Sequence, residues 1–156
     1  MAKGHWLVKT EPDVYSIDDL RRDGRTAWDR VRNHQAKLFL RDGMRPGDRV
    51  LVYHSNAEPP GVAGIAKVHG PARPDPTQFD RRSEYHDPAS TRDAPRWMMR
   101  DLAFVARFGE PVTLDALRGT KALAGMAMLR KGNRLSVTPV TKAEYDAVLR
   151  LAKQVS

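Results

Sequence analysis

The chain contains no cysteine. That excludes disulfide staples, a thiolate nucleophile and the cysteine-ligated zinc centre of a base deaminase. No apolar run approaches the ~18 residues that a membrane helix needs. The opening MAKGHWLVKTEP has no apolar stretch suited to a secretory signal. The expectation is a soluble intracellular protein with no membrane partner, cytoplasmic, or nuclear if eukaryotic. His5, His34, His54, His69 and His86 lie far apart and show neither HxxxH nor HxH spacing, so no metal and no cofactor is expected. A phosphate-binding P-loop and a GxSxG elbow are also missing. The run GVAGIA is followed by no helix and has the wrong spacing for a nucleotide-binding glycine loop. Ser55 or Ser136 with His54 supplies nucleophile and base types, but no spacing joins them. Repeats and low-complexity tracts are absent.

Acidic side chains are outnumbered, 19 against 27 basic ones, giving a net charge of +8 and a pI near 10.1. Arginine dominates the middle of the chain. Its planar fork suits phosphates and stacks on bases, so the balance favours a nucleic-acid partner. At 156 residues the chain has the size of one domain, residues 1–156, able to build a core without staples.

HWLVK (5–9) reads as a first strand, ended by Glu11-Pro12. Lys9 and Glu11, two apart on an extended backbone, point the same way, as a surface pair or a pocket rim. Ser16 caps a short helix ended by Gly24. The stretch WDRVRNHQAKLFLR (28–41) is central: Trp28, Arg32 and Asn33 crowd together, and Ala36, Phe39 and Leu40 follow at helical spacing. Asn33 is the expected N-cap and Gly43 the end of that helix. RVLVYH (49–54) reads as a buried strand running into Tyr53, His54, Ser55 and Asn56. Gly61–His69 reads as a small-residue strand in which Gly61 and Gly64 permit bulges. Residues 71–96 read as a long ordered excursion, pinned by Phe79 and Tyr85. RWMMRDLAFVARF (96–108) fits a strand buried on both faces better than a helix. Thr113 caps LDALR, and residues 120–130 suggest a second short helix with Met126 and Met128 as core filler. RLSVTP (134–139) reads as the last strand, and Thr141 with Glu144 forms a capping box for the final helix. Tyr145, Val148, Leu149 and Ala152 form its apolar face. This order predicts an α+β domain built on a small bent β-barrel flanked by short helices.

What survives is binding chemistry. Trp28, Tyr53 and Trp97 sit at element ends beside Arg or His. Aromatic faces beside cations suit base stacking, worth about 1–3 kcal/mol per base.

The runs WLVKTEP (6–12), YSIDDL (15–20), WDRVRNHQAKLFLR (28–41), GDRVLVYHSN (47–56), GVAGIAKV (61–68), DPTQFD (75–80), YHDP with Ser90, PRW (95–97) and RLSVTPV (134–140) resemble, in order and spacing, the EVE domain family of the PUA-like superfamily. The resemblance implies a single PUA-like domain and a non-catalytic reader of a modified nucleobase, a modified cytosine in DNA or a modified base in RNA, held in an aromatic-walled pocket. The partner it implies is DNA or RNA carrying a modified base; a monomer is expected. It also implies a pocket drawing on Lys9, Glu11, Trp28, Val31, Arg32, Asn33, Tyr53, His54, Ser55, Trp97, Leu135, Ser136 and Val137. In that pocket Trp28 would wall the base, Asn33 and Ser55 would bond its edge, and Arg32 would anchor a phosphate or carbonyl. Two positions depart from the family pattern: Arg30 replaces the usual Gly of W-x-G-V-R-N, and Thr138 replaces the Gln of LSVQP. Two other readings stay open: an enzyme or enzyme subunit acting on modified nucleic acid, and a small-molecule nucleoside sensor.

Overall fold

A computed structural model describes residues 4–154. Six strands form one mixed sheet: β1 (His5–Thr10), β2 (Arg25–Trp28), β3 (Arg49–His54), β4 (Gly61–Pro74), β5 (Met98–Thr113) and β6 (Val137–Val140). Their order across the sheet is β2-β5-β4-β3-β1-β6. Among the described residues only the β1–β3 pair is parallel, with Leu7 opposite Leu51. The helices are α1 (Ile17–Asp23), α2 (His34–Leu38), α3 (Leu114–Arg118) and α4 (Lys142–Gln154). The last turn of the α2 segment, Phe39–Gly43, is π-helical.

Alternation along the strands builds two apolar layers. Trp6, Val8, Val50 and Val52 face one way, onto Leu20, Trp28, Leu40 and Met44. Leu7, Leu51 and Tyr53 face the other, onto Leu117, Met126, Tyr145 and Val148. Both faces of β1 and β3 are therefore covered, which is why they read as continuous apolar runs. Gly61 and Gly64 let β4 press against β5: a Cβ at either would lie 2.4 Å from a carbonyl oxygen, of Val112 and Ala106 respectively. The ladder register shifts between Val62 and Gly64, as those glycines lead one to expect.

The α+β class holds, but the sheet is not a closed barrel. β2 and β6 are its two edges, each only four residues long. They do not pair with each other; Leu40 and Met44, in and just after the π-helical turn, pack in the same apolar layer as Trp28 of β2 and Val137 of β6. Four further differences from the sequence reading have local causes. β2 gives no sign of itself in sequence, since RTAW carries no alternating pattern and its ladder partner is β5, far along the chain. β4 runs on to Pro74 and β5 to Thr113, because each supports the other across a long hairpin. Residues 120–130 form two 3₁₀ turns, Lys121–Leu123 and Ala127–Leu129, rather than a helix. The last strand begins at Val137, not Arg134, since residues 130–135 are still in turns stabilised by Asn133.

Thr138, one of the two departures from the family pattern, lies opposite Leu7 with no exposure. Its hydroxyl has no hydrogen-bond partner among the described residues. A buried hydroxyl without a partner costs about 1–3 kcal/mol. Thr138→Val is nearly isosteric and is expected to stabilise the fold by about 1 kcal/mol, read as a higher urea midpoint with unchanged slope.

Candidate nucleic-acid interface

A cavity of about 560 Å³ lies where a closed barrel would have its seam. From one edge of the sheet it receives Thr26, Ala27 and Trp28 of β2. From the other come Lys9 and Thr10 of β1, with Arg134 and Ser136 just ahead of β6. Lys9 N donates to Ser136 O at 2.9 Å, which locks that edge. The segment Asp29–Asn33 forms the floor between β2 and α2, while Val14, Tyr15 and Tyr85 complete the walls.

Local chemistry explains how each group is held. Asn33 caps α2, its Oδ1 accepting from Ala36 N at 3.0 Å. The amide nitrogen of Asn33 and the second lone pair of that oxygen are left for a ligand. Arg30 takes up a left-handed backbone at φ +63°. A non-glycine residue there costs about 1–2 kcal/mol, and the turn aims its N–H at Asp75 Oδ2, 2.6 Å away. Asp75 is fully buried and also accepts from Thr77 N, Thr77 Oγ1 and Arg32 Nη1, at 2.8, 2.6 and 3.1 Å. Burial alone would raise the Asp75 carboxyl; these hydrogen bonds outweigh it and hold the group below the usual carboxylate range.

The resemblance implied that Arg32 anchors a phosphate or carbonyl; in the structure its guanidinium is engaged within the protein. All of its five N–H groups have acceptors inside the protein: Asp75, Thr77 Oγ1, and the carbonyls of Val31 and Tyr85. It works as a rivet. Its guanidinium lies 5.5 Å from the Tyr85 ring centroid and 5.3 Å from that of Trp97. Tyr85 is thereby fixed beside the cavity, with the Arg30 guanidinium also 5.5 Å from its ring.

Of the residues singled out from sequence, Lys9, Trp28, Val31, Arg32, Asn33 and Ser136 line this cavity. Seven others lie elsewhere, each for a visible reason. Tyr53 faces the second apolar layer. His54 Nε2 accepts from Ile17 N at 3.1 Å and supports the start of α1; burial lowers its pKa, which suits the neutral acceptor. The Ser55 N–H continues the β1–β3 pairing by donating to Thr10 O. Glu11 is exposed and accepts from Asn56 rather than pairing with Lys9. Trp97 stands behind Arg32, stacked on His34 at 4.7 Å and donating through Nε1 to Asp87. Leu135 belongs to the Asn133 turn, and Val137 to the first apolar layer.

Sequence reasoning missed Tyr15, Asp29 and Arg134 as wall residues, and gave Tyr85 only the part of a pin. The Asp of DPTQF (75–79) was the signal for Tyr85, since it holds the loop to Arg32. Burial raises the Asp29 carboxyl, and the neighbouring charge of Asp75 adds to the effect against Arg30 and Arg32. Burial lowers the Lys9 ammonium. Among the described residues, no group of three or more His, Asp or Glu is placed to hold a metal ion, and no helix is long and apolar enough to cross a membrane.

Residues 4–151 match the EVE domain family. Human thymocyte nuclear protein 1 is 38% identical over 168 residues, covering 96% of this chain and 74% of that protein. A hypothetical protein from Leishmania major superposes with a TM-score of 0.93 at 43% identity, over 99% of this chain and 97% of its own. The human THYN1 protein, solved in complex with DNA containing 5-methylcytosine, has a TM-score of 0.90 at 37% identity, over 97% of this chain and 98% of its own.

Proposed function

The chain belongs to the EVE domain family, and from that premise we propose that it is a non-catalytic module that binds DNA and reads a modified cytosine turned out into the cavity. The observation that carries this reading is the cavity itself. Its volume falls within the ~300–1,000 Å³ usual for small-ligand sites. Aromatic walls from Trp28 and Tyr85 stand beside Lys9, Arg30 and Arg134, the mixture that an aromatic base with its phosphates needs. The DNA complex of the human relative supports the same partner. Turning a base out of a duplex costs a few kcal/mol. Phosphate contacts from a domain of net charge +8 offset that cost. In this reading the Asn33 amide nitrogen and the Ser136 hydroxyl bond the base edge, and the three cations of the rim hold the strand.

The test is equilibrium binding to matched oligonucleotides carrying cytosine, 5-methylcytosine, 5-hydroxymethylcytosine or methyladenine, as DNA and as RNA, at two salt concentrations. A modified cytosine in DNA is expected to bind at least tenfold tighter than cytosine, about 1.4 kcal/mol. Tyr85→Ala is expected to remove the preference. It is a cleaner control than Trp28→Ala, because Trp28 also belongs to the core. Equal binding of every base, abolished by salt, would reduce the interaction to charge alone. Product formation with protein in excess would favour an enzyme, and tight salt-independent binding of a free nucleoside would favour a sensor.

A further inference from the structure

Asp29 is an acid inside a cavity whose other charged groups are Lys9, Arg30, Arg32 and Arg134. Its side chain keeps 32% of its surface accessible. No side-chain donor reaches its carboxyl among the described residues, and the nearest cation, Arg30 Nε, stands 3.9 Å away. Asp75 close by differs: its two oxygens carry four hydrogen bonds. The chain keeps two carboxylates near one another: one takes four hydrogen bonds from other residues, the other takes only its own backbone N–H and lines the cavity.

Such a carboxyl is complementary to a hydrogen-bond donor on the ligand. On the Watson–Crick edges of the bases, position 4 is an amine in cytosine and an oxygen in thymine, and Asp or Glu is the side-chain type that accepts from the cytosine N4 amine. A 4-oxo group set against the same carboxylate would bring two acceptors together with no proton between them.

We propose that Asp29 is the specificity residue that accepts from the 4-amino group of the bound cytosine, and so separates 5-methylcytosine from thymine. Those two bases carry the same 5-methyl group, so the methyl cannot tell them apart; only the 4-position and the N3 proton differ. The burial that raises the Asp29 carboxyl adds a second capability. When protonated, the group presents one donor and one acceptor side by side, matching cytosine N3 and N4 together. Arg30 and Arg32 favour the ionised form, while burial and Asp75 oppose it; either form accepts from N4.

This inference rests on the cavity being the base site, and the experiment separates the two. Binding is measured for duplexes identical except for one position holding 5-methylcytosine, cytosine or thymine, with the wild-type chain, Asp29→Asn and Asp29→Ala. The wild type is expected to bind 5-methylcytosine on the order of tenfold or more above thymine. Asp29→Asn offers thymine a donor for its 4-oxygen and an acceptor for its N3–H, and is expected to shift the preference towards thymine. Asp29→Ala is expected to lose the discrimination without gaining thymine. If the wild type prefers 5-methylcytosine over cytosine but both variants still reject thymine, Asp29 is overturned while the reader stands. If the wild type binds cytosine and 5-methylcytosine equally but rejects thymine through Asp29, the modification reading fails while this inference stands. Equal binding of all three bases by the wild type overturns both. Circular dichroism on each variant confirms the fold, which the removal of a half-buried charge does not threaten.

Discussion

Replacing Asp75 with Ala is expected to cost about 3–5 kcal/mol, the loss seen when one partner of a buried ion pair is removed. The size of the loss follows from what remains behind. The Arg30 N–H, one Arg32 N–H and both donors of Thr77 lose their acceptor at once. A domain of this size has about 5–15 kcal/mol in total, so the variant stands near the edge of folding. Residues 76–96 are expected to loosen first, because the Asp75–Arg32 contact fixes the start of this segment to the domain. Limited proteolysis at Arg81 and Arg82 would report that before the global urea midpoint does. The effect carries a pH signature. The folded Asp75 carboxyl titrates below its ordinary range. Its contribution is therefore fully present above the unfolded value of about 3.9 and is lost as pH falls through the folded value. Asp75→Asn is expected to flatten that acid limb, while wild-type stability falls steadily below about pH 4. Equal acid dependence in both would show that another carboxylate governs it.

Arg100 is expected to be comparably sensitive. It is 5% exposed, and its guanidinium donates to the carbonyls of Leu40, Arg41, Met44 and Gly70. Burial pushes its pKa down from the ordinary arginine value, with Asp48 as the opposing charge. The side chain gathers the carbonyls left over at the end of the π-helical turn and ties them to the β4 bend. Arg100→Met fills a similar volume but leaves those acceptors without donors, each costing about 1–3 kcal/mol when buried. A loss of at least about 3 kcal/mol in urea unfolding is expected. Arg100→Lys is expected to recover part of it, since an ammonium supplies three donors without the planar fork. Because Arg100 is also the ladder partner of Trp28, the damage reaches the cavity wall, and indole fluorescence is a second readout.

How far the sequence reveals this molecule depends on how local each signal is. Ser16 with Asp19, Thr113 and Thr141 with Glu144 mark helix starts within four residues, and each is found capping its helix. RVLVYH identifies β3 to the residue because both of its faces are buried. β2 could not be found that way: its four residues become a strand only through β5. The site divides along the same line. Trp28 to Asn33 are neighbours in sequence and stay neighbours in space. Tyr53 and His54 at the end of β3, and Ser55 just after it, lie outside the cavity: Tyr53 packs in the second apolar layer and His54 bonds the start of α1. Tyr85 and Arg134 reach the wall only through the Asp75–Arg32 rivet and the β1–β6 edge, which no local pattern encodes.

That β1–β6 edge has a consequence for how the chain is made. Leu7 pairs with Leu51 on one side and with Thr138 on the other. A nascent chain can join β1 to β3 once about the first third has emerged. The outer edge of β1 then waits, unpaired, until residues 137–140 leave the ribosome. Synthesis proceeds at about 5–20 residues per second, so an apolar strand edge stays open for several seconds. An open edge is a template for pairing with another chain. Factors that shield nascent strands therefore matter most in that window, and ribosome-stalled chains ending before Val137 are the form of this protein most prone to self-association.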